Sequence, residues 1–474
     1  MRVILWCNLV LWAFLLQSCN NEEKFSTSPL QLSFSVDTIK FDTVFTTIGS
    51  STQLFKIYNH NKESVKTSVS LESSYYRLNI DGVATNKLRN LEIRAHDSTF
   101  VFVEVTIDPQ DSNTPVLVLD SVVFNTNGNV QNVKLQAYGQ DVVIINDSII
   151  RTDAHWTNEK PYLVYNSVLV DTLQTLQIDE GTQIYFHENS SLLVKGRLFV
   201  NGTKDQPVTF LGDRLEAYYK NKQGQWGASY IVDDQMHYFG NIHILDGSYG
   251  NVINYAIVKN GTKGIQVDNH NQDNLTLTLS NTIIENMSIS GIYAQNANLL
   301  VYNTVVSNCG YYTVAMSMGG NYEFIHTSLI NAKGHALPSV IFNNFQIKNN
   351  SIVEYDFKAK FINSIIWGSL PNEIIIDQSK QKAAVFEYKF ENCLLKVDRW
   401  YDVSDTLIFS NILVANSDIK PRFKNIDESN FRLDTLSSAK DAGTAKYLNR
   451  YPLDLDEVQR DSMPDLGAYE RIEL

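Results

Sequence analysis

Asn281-Thr282-Ile283-Ile284-Glu285-Asn286 and Asn303-Thr304-Val305-Val306-Ser307-Asn308 are two copies of one phrase. It opens on Asn-Thr, runs through a β-branched pair and closes on Asn. It occurs earlier as Asn254-Tyr255-Ala256-Ile257-Val258-Lys259-Asn260. It recurs later as His326-Thr327-Ser328-Leu329-Ile330-Asn331, Asn363-Ser364-Ile365-Ile366-Trp367 and Asn392-Cys393-Leu394-Leu395. Where undisturbed, the period is about 22 to 27 residues, which marks stacked units that bury their apolar faces against one another. The longer steps imply loops inserted into coils, or an extra weak coil around Asn350-Ser351-Ile352-Val353.

A second series runs alongside: Asn241-Ile242-His243-Ile244, Gly264-Ile265-Gln266-Val267, Gly291-Ile292-Tyr293-Ala294 and Tyr312-Thr313-Val314-Ala315-Met316. Each coil therefore has at least two short strands joined by Asn/Gly turns. Such strands at this period form a parallel β-helix, each coil bonding to the next. Alternation turns Ile242, Ile265, Ile292 and Val314 inward as one row and Ile244, Val267, Ala294 and Met316 as another. It turns His243, Gln266 and Tyr293 outward, with Asp268 and Gln295 on the adjacent edge. The head Asn suits a turn, because Asn tolerates left-handed backbone and its amide can bond to its neighbour one coil on.

Residues 30–142 read differently. Gln53-Leu54-Phe55-Lys56-Ile57-Tyr58, Thr99-Phe100-Val101-Phe102-Val103-Glu104-Val105 and Asn132-Val133-Lys134-Leu135-Gln136-Ala137-Tyr138 alternate in polarity, and Asp81-Gly82, Asp108-Pro109 and Asn127-Gly128 punctuate them. About seven such strands suggest an immunoglobulin-like sandwich. The run from Phe41 to Ser50, followed by Phe55-x-Ile57-x-Asn59, resembles the opening of envelope Ig-like modules.

The chain begins Met1-Arg2, then runs apolar from Val3 to Leu16 and reaches Leu16-Gln17-Ser18-Cys19. A charged start and an apolar stretch too short to span a bilayer read as a secretory signal. The closing tetrapeptide resembles a lipobox, which would make Cys19 the acylated first residue of the mature chain. Asn20, Asn21, Glu22, Glu23 and Lys24 then resemble the surface-export signal of Bacteroidetes lipoproteins. The expected organisation is signal peptide 1–18, polar tether 19–29, sandwich 30–142, and β-helix 143–474 with a C-terminal capping segment.

Net charge is −13. Acidity and the lack of a basic stripe argue against nucleic acid as a partner and against direct polyanion binding. Of four cysteines, Cys7 leaves with the signal, and Cys309 and Cys393 sit in apolar repeats as core thiols rather than as a disulfide or a metal site.

Two stretches resemble a recurrent Bacteroidetes family of right-handed parallel β-helix lipoproteins. One is Leu176-Gln177-Ile178-Asp179-Glu180-Gly181-Thr182 with Leu193 to Leu198 and Asn201-Gly202-Thr203. The other is Asp441-Ala442-Gly443, Asp454 to Arg460 and Pro464-Asp465-Leu466-Gly467-Ala468-Tyr469-Glu470, similar to a terminal "choice-of-anchor" segment. The resemblance covers most of residues 145–474. It implies an all-β chain on the outer membrane, held by its lipid, with a polysaccharide or another envelope component as partner and no cofactor.

β-Helix folds also host polysaccharide lyases and polygalacturonase-like hydrolases, so chemistry must be sought in residues rather than in the fold. Of the hydrolase signature only Asp233-Asp234 and a partial echo, Gly334-His335-Ala336, occur, and both read as chance. The best lyase-like grouping is His243, Asp246, Lys259, Asp268 and His270, with His243, Lys259 and Asp268 as candidate catalytic groups. Calcium is implied only under that alternative. Tyr218, Tyr219 and Trp226, in a polar-aromatic insertion, and Gln266 and Tyr293, on the outward row, are candidates for binding sugar. The expected role is binding, adhesion or scaffolding without turnover. Asp followed by Ser or Thr and an aliphatic residue, at 37–39, 42–44, 120–122, 147–149, 171–173, 405–407 and 434–436, resembles a Bacteroidetes O-glycosylation sequon, some copies open to modification and others buried.

Overall fold

The computed structural model describes residues 23–232, 235–268 and 274–472. Cys19, Asp233, Asp234 and His270 lie outside them. The described chain is all-β apart from one turn of 3-10 helix at Ala445–Tyr447. It divides into two compact units at Asp141/Val142.

The first unit has two five-stranded sheets around one core. Alternation builds it: along Ser98–Val105, Thr99, Val101, Val103 and Val105 are buried and Phe100 and Phe102 exposed. Asn59, fully buried, ends the Phe55-x-Ile57-x-Asn59 pattern because its amide donates to the carbonyls of Glu63, Ile93 and Arg94 at 2.9–3.0 Å. The polar stretch expected to be a free tether is partly docked here. Phe25 bridges Ser64, Ser26 donates its N–H to the Ser64 carbonyl at 2.8 Å, and Lys66 stands over the Phe25 ring.

The second unit is a 26-stranded sheet whose pairings are parallel, wound so that each coil contributes strands to three faces. A first face carries Ala256–Lys259, Ile283–Glu285, Val305–Ser307, Ser328–Asn331 and Ile365–Gly368. A second carries Ile242–Ile244, Lys263–Asp268 and the opening halves of Ser290–Tyr302 and Tyr312–Ile325. The third carries Asn251–Asn254, Leu277–Ser280 and the closing halves of those long strands.

The register follows the apolar rows. Ile242 pairs with Ile265, Ile292 and Val314 in turn, and Ile244 with Val267, Ala294 and Met316. All eight are at most 1 % exposed. Further along, Phe324, Phe361, Phe390 and Phe409 stack inside at 4.9, 4.9 and 5.5 Å, close to the coil rise.

The Asn turns behave as Asn chemistry dictates. Asn281, Asn303, Asn363 and Asn392 sit at φ of 47–50°. Asn281 donates its amide to Asn254 at 2.8 Å, and Asn303 donates to Asn281 at 3.1 Å. At the start of the series the left-handed residue is Tyr255, not Asn254, so the first head lies one position later than the repeat suggests. A second ladder joins Asn286 to Asn260 at 2.6 Å. Cys309 and Cys393 are free and buried.

Two hairpins are inserted between coils. Ala228–Val232 with Gln235–Phe239 forms one. Phe345–Lys348 with Ser351–Glu354 forms the other, where an extra coil was the alternative.

The C-terminal segment was expected to cap the last coil. Instead it packs along the flank of the first face. Val305, Ile330, Ile365 and Leu394 project outward there against Phe423, Phe431, Leu455, Leu466 and Tyr469. Asn392 donates to the Ala442 carbonyl, Thr444 N–H to Asn363, Ala468 N–H to Ser328 and Tyr255 to Glu457, all at 2.8–3.2 Å. The core of the last coils is met by Val397, Tyr401, Val403 and Ile408.

Candidate functional site

The outward row of the second face is where the sequence places its polar and aromatic candidates. The register pairs His243 with Gln266 and Gln266 with Tyr293, and pairs Asp268 with Gln295. His243 Nε2 is 2.6 Å from Asp268 Oδ2. Gln266 donates its amide to the same carboxylate at 3.2–3.3 Å and accepts at Oε1 from Asn241 and from Lys263 Nζ, at 3.2 and 3.1 Å. Gln295 donates to the Tyr293 hydroxyl at 3.2 Å. The Lys263 ammonium stands 3.8 Å from the Tyr293 ring centroid and 4.1 Å from that of Tyr238.

Lys263 is 3 % exposed, and burial pushes its ammonium down to about 8, with Asp268 opposing. Burial likewise raises the Tyr293 hydroxyl, helped by Asp268. The chain Lys263–Gln266–Asp268–His243 alternates donors and acceptors, so each polar group has a partner inside the row.

This geometry revises several expectations. Lys259 does not join His243 and Asp268. It ends a strand of the first face and pairs with Glu285 at 2.8 Å. The three candidate catalytic groups therefore never converge. Gln266 is only 9 % exposed, with both ends of its amide already bonded, and the Tyr293 ring is occupied by Lys263, so neither is open to a sugar. Trp226 is not a sugar platform, because it is fully buried. It stacks on Phe186 at 4.3 Å and donates its indole N–H to the Lys259 carbonyl at 2.7 Å. This pins the 213–241 insertion to the coils.

Tyr218 remains exposed, edge-to-face with Tyr219 at 5.0 Å, and Lys222 stands over both rings. The three Asp-Thr-Leu copies lie on turns where Leu173, Leu407 and Leu436 are exposed.

Beside the row, between the insertion and the coils, is an open cleft of about 420 Å³. Its walls include the Tyr238 and Tyr311 rings and the hydroxyl-bearing Ser229, Thr262 and Ser288. Sequence reading missed Lys263, Tyr238 and Tyr311. Lys263 shares its alternation parity with inward Ile265, so period two hides it. The ladder skips Gly264, whose Cβ would lie 2.6 Å from the Gly291 carbonyl. Among the described residues, no group of three or more His, Cys, Asp or Glu side chains could hold a metal ion, and no helix is long and apolar enough to cross a membrane.

No protein-family model matches this chain, and no curated protein matches it. The catalytic unit of a thermostable GH87 α-1,3-glucanase from Streptomyces thermodiastaticus strain HF3-3 is similar at 9 % identity and a TM-score of 0.27, over 72 % of this chain and 73 % of that one. An ASH/PapD-like domain of human CEP192 is similar at 10 % identity and a TM-score of 0.19, over 27 % of this chain and 96 % of that one. A protein of unknown function from Porphyromonas gingivalis W83 is similar at 10 % identity and a TM-score of 0.18, and this chain spans 61 % of it.

Proposed function

We propose that this chain is a lipoprotein anchored through Cys19 in the outer membrane and displayed at the cell surface. Its Ig-like module is followed by a right-handed parallel β-helix of the Bacteroidetes family named above. The β-helix holds a glycan, without turning it over, in the cleft beside the second-face row. The observation that carries the glycan reading is the cleft under the 213–241 insertion. There the exposed Tyr311 ring offers a face for sugar C–H groups, and three hydroxyl side chains offer partners for sugar O–H groups. The absence of turnover at the neighbouring row rests on its internal pairing. Lys263 is too enclosed to reach a substrate proton, and Lys259 is on another face. The lipobox-like Leu16-Gln17-Ser18-Cys19 supports the anchor, and the net charge of −13 favours neutral over acidic polysaccharides.

The test is a panel of neutral and acidic polysaccharides, offered with and without calcium to the full chain. Retention of a neutral glycan, with neither new reducing ends nor unsaturated products, is the expected result. Unsaturated products that disappear in Lys263→Met would overturn the non-catalytic reading of the row. For the anchor, Cys19→Ala is expected to release the chain from membranes, and continued co-fractionation with them would refute lipidation.

A further inference from the structure

The loop after Ser328–Asn331 carries His335, and the turn after Ile365–Gly368 carries Ser369 and Glu373. These two segments belong to consecutive coils, and their side chains meet in a line. Ser369 Oγ is 3.1 Å from His335 Nδ1, and His335 Nε2 is 3.0 Å from Glu373 Oε2. The side chains of His335 and Glu373 have no exposed surface, whereas Ser369 is exposed.

The hydrogen bonds decide where the proton sits on the imidazole. Glu373 accepts from Ser339 N–H at 3.0 Å, from the Ser339 hydroxyl at 2.7 Å and from Leu370 N–H at 2.7 Å. Surrounded by donors, the carboxyl is an acceptor throughout, so His335 Nε2 must donate to it. Neutral His335 then keeps a lone pair on Nδ1, and the Ser369 hydroxyl donates to that lone pair. A nucleophile bonded to a base, and the base to a buried orienting carboxylate, is the arrangement that activates serine.

The surroundings hold this line in place. A Cβ on Gly368 would lie 2.1 Å from Glu373 Oε1, so glycine is what admits the carboxylate. The Lys396 ammonium donates to the Gly368 carbonyl at 2.5 Å, which puts a positive charge within one residue of the serine.

We propose that Ser369, His335 and Glu373 form an acyl-ester hydrolase site. Its substrate is a small-acyl ester of a large alcohol, such as an O-acetyl group on a sugar. Ser369 is the reachable member, so the alcohol half stays in solvent and its size is unrestricted. Ser369 Oγ bonds to the acyl carbon as its proton passes to His335 Nδ1. The ester C–O bond breaks, and the departing alkoxide takes that proton and leaves as the alcohol. Water then attacks the acyl-serine and gives one proton to His335, which returns it to Ser369 Oγ as the carboxylic acid departs. Glu373 accepts from Nε2 throughout and holds the imidazole in its working tautomer.

The experiment treats the full chain with a fluorophosphonate and maps the adduct by peptide mass spectrometry. In parallel it follows acetate release from p-nitrophenyl acetate and from O-acetylated xylan. An adduct on Ser369 is expected. Acetate release should fall by a factor on the order of 10² or more in Ser369→Ala and in His335→Gln. Ser369 is exposed and at a turn, so Ser369→Ala should keep the wild-type melting temperature and remains decisive if His335→Gln unfolds. No adduct on Ser369, or acetate release unchanged in Ser369→Ala, would overturn the proposal and leave the trio as a clip between two coils.

Discussion

Lys263 lies with its ammonium 3.8 Å from the ring centroid of Tyr293, one coil further on, and is almost wholly removed from water. Burial lowers its pKa from 10.5 to about 8. Between those values the unfolded chain binds more protons at this group than the folded chain does. Stability from this group therefore rises with pH across the window, by up to about 3 kcal/mol. Lys263→Met removes the titration. Its unfolding free energy relative to wild type should fall as pH goes from 8 toward 10.5, measured by urea denaturation at each pH. A constant difference would mean that the ammonium is not desolvated.

The cleft makes a separable prediction. Tyr311 lines it from an exposed position, whereas Gln266 is bonded within the row. Tyr311→Ala should weaken retention of the bound glycan on the order of tenfold, equivalent to about 1.4 kcal/mol. Gln266→Ala should leave glycan affinity unchanged while lowering the melting temperature. Titration calorimetry and thermal melts on both variants separate the two effects. Equal affinity loss in both would put the glycan on the row instead.

Trp226 should behave as core. Trp226→Ala removes a fully buried indole stacked on Phe186 and should cost about 3–5 kcal/mol of stability. Trp226→Phe keeps much of the stack but leaves the Lys259 carbonyl without its indole donor, a loss of about 1 kcal/mol. Chemical denaturation reads both. A Trp226→Ala variant of wild-type stability would contradict the packing.

The C-terminal flank carries a buried ion cluster. Arg460, 2 % exposed, donates to Glu470 at 3.2 Å, to Asn303 at 3.1 Å and to the Gly467 carbonyl at 3.2 Å. Burial nevertheless pushes Glu470 up to about 7 from 4.5, with Arg460 opposing. Between those values the folded chain binds more protons, so this group's contribution to stability falls as pH rises from 4.5 to 7. Glu470→Gln should gain on wild type across that window by up to about 3 kcal/mol and stay level above it. Denaturation midpoints at pH 4.5, 6 and 8 provide the check. Arg460→Ala, which strands Glu470, Asp454 and Asp465, should lose about 3–5 kcal/mol.

The sequence by itself determined the winding of the second unit. Apolar residues two apart must share a face, and a repeated Asn must recur at the same turn, so the rows through Ile242 and Ile244 and the Asn281–Asn303 ladder followed from composition and period. A further signal was present in the apolar pairs Ile283-Ile284, Val305-Val306, Leu329-Ile330, Ile365-Ile366 and Leu394-Leu395. A strand with one face in water alternates, and a doubled apolar pair marks a sheet covered on both faces. Inward Val306 and Ile366 and outward Val305 and Ile365 bear that out. What covers the outer face was not legible, because the covering chain, from Phe423 onward, arrives from far along the sequence. Only tertiary structure decided that the tail lies on the flank, that Trp226 turns into the core, and that His335 meets Ser369 and Glu373. Each is a contact between side chains far apart in the chain, and such contacts leave no trace in the local alternation that marks strands and turns.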